Sequence, residues 1–261
     1  MREAFRAFSH SVIVQMKLSM ARPMFQFVIW LSPLFYATIT YFMYSGRSPE
    51  EVFHYVVLGS GFMALWTSIV YSSASDIGRE RFYGTLENLF VAPASFALVL
   101  WGKIIGNTLW GFLSMILSFG YLTFIFRVEI RVPDMGLLFL AIIFVVGSIS
   151  IFAFFMAMIF TLSRQAEVLM NFMEYPIFLV CGFLFPVSIL PAWVQPLSAI
   201  LPPTWAIELL RRVTGSMSTA SEMSMAFGAI AVITVCYSIL AMICYRALEQ
   251  KVRVDGKLGV Y

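Results

Sequence analysis

Few side chains in this 261-residue sequence have the types and spacing that chemistry requires. The three cysteines lie inside apolar runs and the two histidines are isolated, so neither a disulfide framework nor a metal site is predicted. No HExxH motif, paired carboxylates or Ser-His arrangement occurs in the apolar segments. Gly102-Lys103 and Gly256-Lys257 are followed by Ile104 and Leu258, so there is no phosphate-binding loop of the GxxxxGK(S/T) type. We therefore expect no catalytic residue, no metal and no cofactor bound by this chain.

The charged stretch from Asp76 to Pro93 lies between two long apolar runs. Gly84 permits a tight turn, Thr85 is a suitable N-cap, and Pro93 ends the helix that these residues predict. Leu86, Leu89 and Phe90 recur at i, i+3 and i+4 on one face. A short amphipathic helix of this kind is suited to the groove of a soluble partner. The alternative is an ordinary turn at the membrane surface.

Composition places the rest of the chain in a membrane. Hydrophobic residues make up 61% and charged residues 12%, against about 25% charged residues in soluble domains. Windows of about 20 residues predict six spans. They are Met24–Phe42, Val52–Tyr71, Ile104–Phe126 (beginning near Phe96 if Lys103 reaches the interface), Met135–Leu162, Val168–Phe185 and Met225–Tyr245.

The distribution of basic residues predicts the orientation. An even number of spans puts both termini on one side, and twelve of the 17 Lys and Arg residues then share that side. The positive-inside rule makes it the cytoplasmic side of the inner membrane, together with the Asp76–Pro93 stretch. The other five are Arg47, Arg127, Arg131, Arg211 and Arg212. Basic residues at span ends, with a net charge of only +3, do not indicate nucleic-acid binding.

The flanking segments differ from the spans. Phe5, Phe8, Val12 and Met16 form a helical stripe, which predicts that residues 1–22 are an amphipathic helix on the inner membrane surface rather than a cleaved signal; a frayed tail is the alternative. Five of the eleven prolines fall between 186 and 203, which predicts a re-entrant segment over about 186–213 instead of one helix. The transmembrane domain is thus expected over 23–249, with a cytoplasmic tail over 250–261.

Two sets of motifs carry a resemblance to a known family. Arg79-Glu-Arg-Phe-Tyr-Gly-Thr-Leu-Glu-Asn-Leu-Phe-Val-Ala-Pro-Ala-Ser95 resembles a pattern that follows the second span in membrane subunits of type-2 ATP-binding-cassette exporters. Gly182-Phe-Leu-Phe-Pro186, Leu190-Pro-Ala-Trp-Val-Gln195 and Leu201-Pro-Pro-Thr204, followed by Arg211, resemble a second pattern. Arg81 and Ala92 depart from the family, which often has acidic or Thr residues there.

The resemblance implies an all-α integral membrane protein with six transmembrane helices, an N-terminal interfacial helix, a cytoplasmic coupling helix over about 85–92 and re-entrant extracellular helices before the last span. It implies a homodimer, or a pair with a related permease, bound to two copies of a separate ATPase that holds ATP and Mg. The implied ATPase-coupling residues are Glu80, Gly84, Thr85, Leu86, Glu87, Leu89 and Phe90.

The residues that line the transport pathway are predicted less directly. In such exporters the second and fifth spans usually face each other across the dimer axis. Polar residues in lipid are costly unless they face protein or water, although such groups often serve only as hydrogen bonds between helices. The candidates that share a face are Thr67 and Tyr71 on the second span, and Asn171, Glu174, Tyr175 and Phe178 on the fifth. Glu174 is either a pathway group or a structural partner for Lys103 or Arg164.

The sequence gives limited information about the substrate. Polysaccharide and teichoic-acid exporters usually carry a basic Arg-Asp-Leu-Lys-x-Arg-Tyr-like sequence before their first span, and this chain has Gln15-Met-Lys-Leu-Ser-Met-Ala-Arg22. This favours a drug, lipid, peptide or natural product, with a polysaccharide as the alternative. A channel that is not driven by ATP, or an intramembrane enzyme, is the alternative of another class.

Overall fold

The computed structural model describes residues 2–84, 96–128, 132–162, 166–215 and 219–255, and it is helical throughout the described elements. The first half consists of α1 (Arg2–Met20), α2 (Pro23–Trp30), α3 (Ser32–Met43), α4 (Pro49–Glu51), a π-helix (Val52–Leu58) and α5 (Gly59–Phe82). The second half consists of α6 (Phe96–Ile125), α7 (Met135–Leu162), α8 (Ala166–Val180), a 3-10 turn (Val187–Ile189), α9 (Gln195–Ile200), α10 (Pro202–Thr214) and α11 (Ala220–Asp255).

Five helical segments within the described residues are long and apolar enough to cross a membrane. They are Pro23–Met43, Pro49–Ile69, Phe96–Ile125, Met135–Thr161 and Ser221–Gln250. Aromatic side chains fill the space between them: Trp66 stacks on Phe152 with ring centroids 5.6 Å apart, and Trp101 stacks on Phe154 at 4.8 Å. The fold is that of an all-α membrane protein.

The segment expected as a fifth span is shorter than predicted. Helix α8 has 15 residues, or about 22 Å at 1.5 Å per residue, which is less than the ~30 Å of a bilayer core. It ends because Gly182 adopts a φ of +76°, in the left-handed region where a helix cannot continue. The hydroxyl of Ser198, on α9, donates to the Val180 carbonyl at 2.6 Å and so caps the end of α8.

The first span is interrupted between α2 and α3. Pro33 has no N–H, so the carbonyl of Ile29 loses its usual partner four residues on. The hydroxyl of Ser114, on α6, donates to that carbonyl at 3.2 Å. A residue of a neighbouring span therefore compensates for the break in the helix, which is the condition for tolerating proline in lipid.

Helix α5 lies at the centre of the bundle and packs against α3, α6, α7 and α8, while α11 packs against α7 and α10. Helices α5 and α6 are antiparallel neighbours, so the bundle has two ends. We call the end with Asp76 and Lys103 the near end, and the end with Arg47 and Arg211 the far end. Helix α1 lies at the near end and contacts α6.

Candidate functional site

A buried polar cluster at the near end joins three helices. It consists of Gln15, Ser19 and Arg22 at or just beyond the end of α1, Asp76 on α5 and Asn107 on α6. Arg22 NH2 lies 3.2 Å from Asp76 Oδ1, and Asn107 Nδ2 donates to Asp76 Oδ2 at 3.2 Å. The amide of Gln15 donates to the same Oδ2 and to Asn107 Oδ1, the latter at 3.0 Å. We call these five residues the Asp76 cluster.

The charge of Asp76 is balanced inside this cluster. Its side chain is only 2% exposed, whereas that of Arg22 is 18% exposed. A carboxylate at such a position is tolerated only when a cation and further donors surround it. Arg22, Gln15 and Asn107 supply these groups. Arg22 NH2 also donates to Ser19 Oγ at 2.9 Å, so the guanidinium is held from both α1 and α5.

The spacing of small residues on α6 lets α1 approach closely. A Cβ on Gly102 would lie 2.6 Å from the Cβ of Ser11, and one on Gly106 would lie 3.2 Å from the Val12 carbonyl. The Gly102-x-x-x-Gly106 pair therefore packs against α1 of the same chain. Gln15, four residues after Ser11, is thereby brought against Asn107.

The apolar stripe of α1 is not its most buried face among the side chains that the structure describes. Phe8, Val12 and Met16 are half-buried, and Ile13 and Leu18 are each 50% exposed. The most buried side chains of the helix are Gln15 and Ser19. The helix thus presents a polar ridge to the protein, and apolar side chains lie on its open side.

A second ion pair lies close to the point where the described chain stops. Glu80 on α5 pairs with Lys103 on α6, and both side chains are half-buried. Gly84 has a φ of +65°, the left-handed conformation that glycine adopts without strain, and this is the tight turn expected there. The other predicted coupling residues, Thr85, Leu86, Glu87, Leu89 and Phe90, lie outside the described residues.

A hydrogen-bonded chain connects the three helices α3, α5 and α8. Thr67 Oγ1 on α5 donates to Glu174 Oε1 on α8 at 2.7 Å. Thr67 Oγ1 also lies 3.3 Å from the hydroxyl oxygen of Tyr36 on α3. The ring of Tyr36 packs edge-on against Phe178 with centroids 5.7 Å apart. Glu174 is therefore held by the Thr67 hydroxyl, and Lys103, one of its expected partners, pairs with Glu80 instead.

The predicted pathway residues are only partly brought together. Thr67, Glu174 and Phe178 share one neighbourhood, and Phe178 is buried in the core beside Phe183, 5.9 Å away. Tyr175 is 66% exposed, and its ring lies edge-on to that of Phe178 with centroids 6.1 Å apart. Tyr71 and Asn171 have their backbones in α5 and α8, and their side chains, like Arg164, lie outside the description.

At the far end a buried arginine is held by carbonyl groups. Arg211, on α10, donates from Nη2 to the Gly182 carbonyl at 2.7 Å and from Nε to the His54 carbonyl at 3.4 Å. Its guanidinium carbon lies 4.3 Å from the centroid of the Tyr55 ring, a cation–π distance. Arg211 therefore joins α10, the π-helix and the turn after α8.

The Tyr44 hydroxyl reinforces the same turn by donating to the Leu184 carbonyl at 2.7 Å. Its ring stacks on Tyr55, with centroids 5.2 Å apart. Burial raises the pKa of Tyr44, with the neighbouring Tyr55 as the next cause, so this hydroxyl stays a donor at physiological pH.

Sequence reasoning missed the most buried part of the near end. Asp76 is the first residue of the charged stretch, and Gln15 and Ser19 lie in the stretch before the first span, but none of the three is assigned a role on sequence grounds. The signal was present in the spacing of Gln15, Ser19 and Arg22 at i, i+4 and i+7, which puts three polar groups on one helix face. Within the described residues no group of three or more His, Cys, Asp or Glu side chains could hold a metal ion.

Comparison with known proteins identifies one family. A family model described as ABC-2 type transporter matches residues 7–214, which is most of the chain. The match includes the Asp76 cluster, the Glu80–Lys103 pair, the predicted coupling residues and the Arg211 site. A search of curated proteins gives no match.

Proposed function

Because the chain belongs to the ABC-2 type transporter family and is a membrane subunit of such a transporter, we propose that it works as the exporting permease of a complex with a separate ATPase. The family match over residues 7–214 carries this proposal. The chain would export a drug, lipid, peptide or natural product out of the cytoplasm, as a homodimer or beside a related permease. Two ATPase copies would hold ATP and Mg.

The arrangement of the near end supports a role in force transmission. Residues 85–92, the predicted coupling helix, follow directly after an α5 end that is fixed at two positions. Asp76 ties α5 to α1 and α6, and Glu80 ties it to Lys103. A displacement applied to residues 85–92 would therefore act on three helices together instead of bending the end of α5 alone. With the coupling helix in the cytoplasm, both chain termini would also lie on the cytoplasmic side, as the distribution of basic residues predicts.

The hydrogen-bonded chain through Glu174 supports a pathway between α5 and α8. Thr67 and Glu174 approach to 2.7 Å, so a relative movement of these helices would break a defined contact. A carboxyl group in such a position is a functional candidate by default in a membrane protein. We propose that Thr67, Glu174 and Phe178, with Tyr71, Asn171 and Tyr175, lie along the translocation pathway.

The test places a charge on the apolar face of the predicted coupling helix. Leu86→Asp and Leu89→Asp would bury an unpaired carboxylate in the ATPase groove at a cost of several kcal/mol. Asn88→Asp adds the same charge on another face and is the matched control. The variants are co-expressed with the proposed ATPase subunit, and complex formation and ATP hydrolysis are measured in proteoliposomes.

We expect the Asn88→Asp complex to behave as wild type, and the two leucine variants to insert normally but to lose ATPase binding or its coupling to transport. ATP hydrolysis by the purified chain alone should be absent. Robust hydrolysis by the single chain, or normal assembly and coupling in both leucine variants, would contradict the proposal.

A further inference from the structure

A cavity of about 690 Å³ opens at the far end, between the ends of α3 and α6, the start of the π-helix and the end of α10. The residues that line it include Arg47 and Arg127, and its apolar part includes Tyr41 and Phe126. Neither arginine forms an ion pair within the part of the chain that the structure describes. We propose that this cavity binds an amphiphile that carries a monoanionic phosphodiester, such as the headgroup of a glycerophospholipid.

The charge of the wall fits one negative charge. The residues that line the cavity include two arginines, Arg47 and Arg127, and a single carboxylate residue, Glu50. One net positive charge therefore remains. A guanidinium presents a planar set of donors that suits the oxygens of a phosphate, and two such groups bind it better than ammonium groups would.

Arg127 occupies a backbone position that favours glycine. Arg127 has a φ of +53° and is the only non-glycine residue with positive φ among the described residues. This conformation lets the Val128 N–H reach back to the Leu122 carbonyl at 3.2 Å and closes the end of α6. Glycine adopts it without strain, whereas a side chain costs about 1 kcal/mol. The arginine is thus present at a position where glycine would stabilise the fold.

A tight turn positions the second arginine. The Arg47 N–H donates to the Tyr44 carbonyl at 3.1 Å, and Gly46 has a φ of +87° at the third position of this turn. A Cβ on Gly46 would meet no atom within 4 Å, so the space beside the turn is open. Arg47 is therefore the last residue of a turn that its backbone hydrogen bond and Gly46 define, and it lines the cavity.

The position in the fold indicates a lipid-like ligand. The apolar segments Pro23–Met43 and Phe96–Ile125 end beside the cavity, and Pro49–Ile69 begins there. The ends of membrane spans lie at the depth of lipid headgroups. Tyr41 and Phe126, with ring centroids 4.1 Å apart, provide an apolar wall on which an acyl chain can lie while the phosphodiester faces the arginines.

Binding is measured on the full-length protein in detergent by native mass spectrometry and by titration. The probes are short-chain phosphatidylglycerol, the diacylglycerol with the same chains, and the soluble headgroup glycerophosphoglycerol. We expect phosphatidylglycerol to bind at least tenfold more tightly than either of the others. Equal binding of the diacylglycerol would overturn phosphodiester recognition, and equal binding of the soluble headgroup would overturn the assignment to an amphiphile.

Three variants connect the binding to the cavity. Arg47→Gln and Arg127→Gly should each weaken phosphatidylglycerol binding about tenfold, and Arg127→Gly should denature at the same or a higher temperature because glycine suits its backbone. Arg212→Gln removes a far-end cation that lies outside the cavity and pairs with Glu208, so it should bind as wild type. Unchanged binding in both cavity variants, or an equal loss in the control, would overturn the proposal. The outcome is independent of ATPase coupling.

Discussion

Removing the charge of Asp76 tests whether the near end is held by its buried ion pair. Asp76→Asn keeps the shape of the side chain but leaves the Arg22 guanidinium, 3.2 Å away, facing a neutral amide. Breaking a buried pair by removing one partner costs about 3–5 kcal/mol, and an exposed pair contributes about 0.2–1 kcal/mol. Because Arg22 is 18% exposed, its charge keeps part of its hydration. We expect a loss of about 2–3 kcal/mol, below the fully buried range.

The assay is thermal denaturation of the purified protein, analysed as a double-mutant cycle. A chain of this size loses roughly 2–4 °C of Tm per kcal/mol, so Asp76→Asn should lower the midpoint by about 4–12 °C. Arg22→Gln added to Asp76→Asn should cost little more, because the partner charge is already lost, and the coupling energy should exceed about 1 kcal/mol.

The matched control is the exposed pair Arg212–Glu208 on α10, whose side chains are 30% and 39% exposed. Glu208→Gln should cost less than about 0.5 kcal/mol, as is usual for surface pairs four residues apart on a helix. If the Asp76–Arg22 coupling were as small as that of the control, the cluster would be held by its amide hydrogen bonds and our reasoning about the charge would be refuted.

Two further predictions concern the contacts of α5. Gly59→Ala should destabilise the protein by more than about 1 kcal/mol, because the new Cβ would lie 2.4 Å from the Phe183 carbonyl. The control Gly228→Ala, whose Cβ would meet nothing within 4 Å, should be neutral or stabilising, and equal thermal midpoints of the two variants would disprove the close contact. Glu174→Gln keeps the hydrogen bond from Thr67 but removes the charge. If Glu174 lies on the pathway, the complex should assemble normally but transport should be lost or altered; if Glu174 is structural, thermal stability should fall together with transport. Wild-type transport and stability would exclude both roles.

The apolar runs could be located from sequence because hydrophobic length is a local property. The range predicted for the fourth span, Met135–Leu162, is the range of α7. The fifth was placed too far along the chain, since Phe183 and Leu184 are apolar but follow a glycine with positive φ. Hydropathy alone does not register a turn inside an apolar run.

The Asp76 cluster could not be predicted because its contacts join residues that lie far apart in the sequence. Gln15 and Asp76 are 61 positions apart, and Gln15 and Asn107 are 92 positions apart. No local sequence pattern predicts that Gln15, Asp76 and Asn107 contact one another. The spacing of Gly102 and Gly106 permits a close approach of another helix, but it does not tell which helix approaches; in the structure it is α1.

The distance along the chain between Gln15 and Asn107 has a consequence for how the protein is made. Helix α1 leaves the ribosome before α5 and α6, and the Asn107 that completes its polar ridge follows Gln15 by 92 residues. At roughly 5–20 residues per second, this interval is about 5–20 s. During that time Gln15 lacks the Asn107 amide, and Asp76, which itself follows Gln15 by 61 residues, lacks it as well once it has been made. Helix α1 therefore has no complete docking site until α6 is made. Helix α1 is therefore made before its partners α5 and α6 but settles among the last parts of the near end, when α6 has entered the membrane.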